Sequence, residues 1–96
     1  MNEQEIAQAL NDLGSTAREV YLSLLIEKIP IQNPDNCERC PIAVFLRRLT
    51  GLSNWIVYAN RAYLHEEGRP YITVVFPRAV FAFIHRFDEG IPFALA

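Results

Sequence analysis

The chain is poor in the residue types that make functional sites recognisable. Its 96 residues include two cysteines, two histidines, four glycines, one methionine and one tryptophan. Two cysteines cannot build a disulfide framework. Four scattered glycines leave no glycine-rich phosphate loop, and there is no G-x-S-x-G nucleophile turn. Lysine is nearly missing too, Lys28 being the single one. The longest unbroken apolar run, Ala79 to Ile84, is far too short to span a bilayer. The start, M-N-E-Q-E, is acidic where a secretory signal would be basic, so a cytoplasmic location is expected, with no membrane partner. No internal repeat or low-complexity segment is present.

Apolar material is abundant. Hydrophobic residues make up 51% of the chain and charged ones only 21%, which excludes disorder. A chain of this length is read as one domain, residues 1–96. A body of that size hides only roughly two-thirds of the surface its unfolded chain exposes. Part of the apolar excess is therefore expected outside, as a contact patch. The net charge of −2 conceals an asymmetry. Residues 1–36 carry six acids against two bases, whereas residues 37–96 carry five acids against seven arginines. Arginines pairing with the acidic first third is the expected arrangement, since no basic cluster dense enough for a nucleic-acid footprint occurs.

The first helix is expected from about Asn2 to Leu13, with Ile6, Leu10 and Leu13 as its apolar stripe and Gly14 as a left-handed stop. Thr16, followed by Glu19, predicts a capping box for a second helix running to about Lys28. That helix is apolar nearly all round, through Val20, Tyr21, Leu22, Leu24, Leu25 and Ile26. It is expected in the middle of the structure or at a subunit contact, with Pro30 ending it. Pro41 suits the first position of a third helix, closed by Gly51. Ile42, Phe45, Leu46 and Leu49 project to its core side, with Cys40, Val44, Arg47 and Arg48 opposite. The period then changes. Trp55–Tyr58 and Tyr71–Phe76 read as strands, with a short strand at Arg61–His65 between them. Pro77 opens a last helix to about Glu89, with Val80, Phe81, Phe83, Ile84 and Phe87 on one arc. The expected fold is α+β, ordered α-α-α-β-(β)-β-α, with a two- or three-stranded antiparallel sheet covered by helices.

Candidate chemistry centres on Cys37 and Cys40, which have the spacing of half a zinc site. His65 and His85 are the only histidines to complete it, and each reads better as a solvated residue. A site shared between two subunits, with two cysteines from each, is the other metal arrangement. No metal and no other cofactor is expected. If a metal site exists, Cys37 and Cys40 form it. A redox role would rest on Cys40 at a helix start, its thiolate favoured by Arg39 and Arg47, but the strand that leads into a thioredoxin-like C-x-x-C is missing. Asp88 and Glu89 point about 100° apart on a helix and make no facing carboxylate pair. Neither a catalytic residue nor an enzymatic activity is expected.

Two segments resemble other proteins. Cys40-Pro-Ile-Ala43 with Leu46, and Phe83-x-x-x-Phe87-Asp88-x-Gly90, are similar to motifs in small uncharacterised bacterial and bacteriophage proteins. The resemblance implies a compact domain of bacterial or phage origin and carries no activity or site residue.

The reading that these features support is a small non-enzymatic protein-interaction or regulatory module. It would act as a homodimer, a phage-type inhibitor or an accessory subunit. Val44, Arg47, Arg48, Ile26, Phe93 and Leu95 are its candidate contact residues. A second reading is single-stranded nucleic-acid binding. It would use Arg39, Arg47 and Arg48, or Trp55, Tyr58, Arg61 and Tyr63 on a sheet face, and would be weak because the chain is net acidic. Against it, the aromatic rings are expected beneath the helices. The third reading is the Cys-x-x-Cys metal-binding or redox protein.

Overall fold

Among the described residues seven elements follow one another: α1 (Glu3–Asn11), α2 (Ala17–Ile26), α3 (Pro41–Thr50), β1 (Trp55–Val57), β2 (Arg61–Leu64), β3 (Ile72–Val75) and α4 (Arg78–Asp88). They belong to a computed structural model that describes residues 1–31, 40–58, 60–68 and 71–91. The architecture is α+β in the expected order, and the middle strand is present. The sheet is an antiparallel meander, β1-β2-β3, with Ile56 opposite Tyr63 and Tyr63 opposite Thr73.

Helix ends follow local chemistry. Asn2 caps α1 reciprocally with Glu5, its side chain accepting from the Glu5 N–H at 2.9 Å. Thr16 accepts from the Glu19 N–H at 3.1 Å, but Glu19 reaches back to the Ser15 N–H at 2.9 Å, so the predicted box closes one residue early. Gly14 serves close approach rather than a left-handed stop. A Cβ there would lie 2.4 Å from the Glu19 Cβ. The first helix has already ended at Asn11, and Leu13 is buried in the turn that follows.

The second helix ends at Ile26, before Pro30 can act. Ile29 N–H bonds to Leu24 C=O at 3.0 Å and Lys28 N–H to Leu25 C=O at 2.9 Å, the paired bonds of a Schellman turn. Lys28 holds the left-handed position that turn requires, at φ 58°. Ile29, buried to 2% exposure, anchors it. The Arg48 guanidinium reinforces the same end, donating to Glu27 C=O at 3.1 Å and to Lys28 C=O at 3.5 Å. Arginine thus meets the acidic part of the chain here at backbone carbonyls.

Pro41 starts α3 and Gly51, left-handed at φ 72°, closes it as expected. Thr50 joins this helix to the sheet. Its hydroxyl donates to Leu46 C=O at 2.7 Å and accepts from the indole N–H of Trp55 at 3.0 Å. That bond satisfies the polar atom of a ring otherwise buried in the core.

A single core cluster joins Ile6, Leu10, Val20, Leu24, Ile42, Leu46 and Trp55 to Val80, Phe83 and Phe87. The edge of this cluster differs from expectation in two places. Of the two positions expected for the second helix, the middle of the structure is not the one it takes: Val20 and Leu24 are buried, while Leu22, Leu25 and Ile26 face water. Phe81 is also exposed, and Ala79 takes its place in the core, because Phe81 falls on the border of the apolar arc of α4. No helix among the described residues is long and apolar enough to cross a membrane.

Candidate functional site

The pleat of the sheet sorts its residues into two sets. Trp55, Ala62, Leu64 and Val74 point inward and are buried. Ile56, Arg61, Tyr63, Thr73 and Val75 occupy the alternate positions. Their side of the sheet is open to water: Ile56 is 51% exposed and Val75 64%. Tyr58 and Tyr71, at strand ends, are also more than half exposed.

Aromatic rings connect across this face. Tyr58 meets Tyr63 edge to face with centroids 5.5 Å apart. Tyr63 lies 5.6 Å from Tyr71, and Tyr71 lies 5.7 Å from His65. The edge-to-face and tilted arrangements are those that aromatic quadrupoles favour. No carboxylate stands at an outward strand position, and Arg61 supplies the one fixed charge there. The expectation that the sheet aromatics lie beneath the helices therefore holds for Trp55 and fails for Tyr58 and Tyr63, which Tyr71 joins on the open side. Strand alternation groups Tyr63 with Arg61 and opposite Ala62 and Leu64, so the charge of Arg61 was the signal that could have assigned Tyr63 to the outside.

The other predicted contact residues are dispersed. Ile26 stands out from α2 at 78% exposure. Val44 is half-buried and packs on the core cluster. The Nε of Arg47 donates to Ser53 C=O at 3.2 Å, and Arg48 is bonded to the end of α2. These two arginines serve different carbonyls on different segments. Phe93 and Leu95 lie outside the described residues, as do Cys37 and Arg39.

Cys40 caps α3 from just outside its first turn and is half-buried. Burial pushes its thiol above the ordinary value, and the nearby Asp88 carboxylate adds to this. The N–H groups of Ala43 and Ile42 and the charge of Arg47 act in the opposite direction without overcoming it. The thiolate-favouring environment expected for a redox cysteine is thus reversed by desolvation. Among the described residues no three His, Cys, Asp or Glu side chains converge as metal ligands would.

No protein-family model matches this chain, and no curated protein or solved structure matches it.

Proposed function

We propose that the protein is a non-enzymatic interaction module that docks on another protein surface through the outward face of its sheet. One observation carries this reading: Ile56, Tyr58, Tyr71 and Val75 all stand in water beside Tyr63, on a face that no helix among the described residues covers. Tyrosines are well suited to such contacts, because a rigid ring offers a large area at small entropic cost and its hydroxyl tolerates a wet rim. The partner is a second copy of the chain or a separate protein to which this one is regulator or accessory subunit. A cytoplasmic location and the likeness to bacterial and phage proteins belong to the same proposal.

The test is light scattering and sedimentation at micromolar concentration, on the native chain and on a chain with Ile56→Asp and Tyr63→Ser. A native dimer reduced to monomer by the two changes, with the circular dichroism spectrum unaltered, is the expected result for self-association. A monomer that makes no crosslink to any protein through a photoreactive group at position 56 would refute the proposal.

The ring chain and Arg61 favour single-stranded nucleic acid as a second reading, since unpaired bases stack on exposed tyrosines. It requires that affinity for an oligonucleotide fall steeply with salt as phosphate contacts release counterions. Affinity that is insensitive to salt, or unchanged by Arg61→Ala, excludes it.

A further inference from the structure

Away from the sheet, a cleft of about 340 Å³ opens between α1, α2 and α3, and a smaller lobe of about 190 Å³ adjoins it. Phe45, Leu49 and Glu27 line both, so the two make one trough. Its floor is apolar, and Ile26 forms an exposed edge.

The charge at its mouth is unusual. Asp12 is the C-terminal cap of α1, and Glu27 is the C-terminal cap of α2. Both line the larger lobe. A helix C-terminus carries partial negative charge and is ordinarily accompanied by a base, yet neither helix has a basic residue in its last turn. Two negative helix ends, each with a carboxylate added, thus meet at one apolar trough. Arg48 answers part of this from the smaller lobe, through its bonds to the carbonyls of Glu27 and Lys28. The larger lobe, on the Asp12 side, keeps two acids.

We infer that this trough receives a basic amphipathic segment of a partner protein. An apolar side chain of that segment enters between Ile26, Phe45 and Leu49, and a lysine or arginine beside it lies over Asp12 and Glu27. The segment supplies the positive charge that the end of α1 lacks, adds to what Arg48 and Lys28 provide at the end of α2, and removes Ile26 from water. This inference goes beyond the sheet-face reading and does not depend on it.

The experiment uses the full chain and two synthetic amphipathic helical peptides of about four turns. Both have leucines along one face; one carries lysines beside them and the other glutamates. Binding is followed by fluorescence anisotropy, and the site is mapped by amide shifts in isotope-labelled protein. The lysine peptide is expected to bind and to move the signals of Ile26, Phe45 and Leu49, with the glutamate peptide inert. Ile26→Asp should weaken binding by about tenfold or more. Replacing Asp12 and Glu27 together by lysine should invert the preference, so that the glutamate peptide binds instead. That inversion cannot come from a misfolded protein. Equal binding of both peptides, no binding of either, or shifts confined to the sheet face would overturn the inference. So would shifts at the same residues that grow with protein concentration without peptide, since the occupant would then be a second copy.

Discussion

The inner and outer faces of the three-stranded sheet both carry large apolar side chains, and those side chains have opposite fates. On the inner face Trp55, Ala62, Leu64 and Val74 are all below 5% exposure, under a layer of helices. On the outer face Ile56 and Val75 are more than half exposed, among three tyrosines. Arg61 and Thr73 stand only on the outer face, but apolar character by itself does not separate Trp55 and Val74 from Ile56 and Val75. What separates them is a pleat that alternates side chains and a helical layer that reaches only one side. A small domain has too little chain to cover both, so the apolar excess remains where the helices stop.

The strongest way to break this comparison is to truncate one residue in the core beneath the helices and one on the open face of the sheet. Phe83→Ala removes a fully buried ring stacked 6.3 Å from Phe87 and should cost about 3–5 kcal/mol in urea unfolding. Val75→Ala, on the open face, should stay within about 0.5 kcal/mol. Similar losses at both positions would mean that the outer face is covered in solution.

A smaller effect is expected where the two layers are joined. Thr50→Val leaves the buried indole N–H of Trp55 without its acceptor and should destabilise by about 1–3 kcal/mol. Thr50→Ser keeps the hydroxyl and should recover most of that loss. If the valine variant is as stable as the native chain, the hydroxyl does not hold α3 to the sheet.

Next in size is a stabilising change at the end of α2. Lys28→Gly relieves a left-handed lysine and should raise stability by about 1 kcal/mol, read as an increase in Tm. A decrease would show that the lysine side chain contributes more than its backbone strain costs.

The smallest effect is in the titration of Cys40, measured with Cys37 replaced by serine. Burial holds the thiol protonated in the fold at a pH where the unfolded chain has already lost its proton. Its contribution to stability is therefore complete below the unfolded pKa and is lost as pH rises towards the folded one. Alkylation should be slower in the native protein than in denaturant through the ordinary thiol range near about 8.5. Asp88→Asn should speed it modestly by removing a nearby negative charge. Faster alkylation in the native state would restore the activated-thiol reading.

Most of the fold was legible because its signals are local. Pro41 and Gly51 bracket α3, Pro77 precedes α4, and Thr16 caps α2, each through its own backbone chemistry. The candidate sites were only partly legible. Ile26 and Arg48 were named as contact residues, and both line the trough, yet nothing in their spacing brings Asp12 beside Glu27. Tyr58 and Tyr63 stand outward, against the expectation that they pack beneath the helices. Alternation alone defines two faces and does not tell which one the helices cover.

The order of elements, their boundaries to within a few residues and the alternation within the strands were determined by the sequence alone, since each depends on neighbours along the chain. Tertiary structure alone decided which face of the sheet meets the helices, that α2 is peripheral, and that two acidic helix ends converge on one cleft. These outcomes depend on how limited helical surface is distributed over distant segments, and on burial that overrides local charge, as at Cys40. Periodicity along a chain carries no record of either.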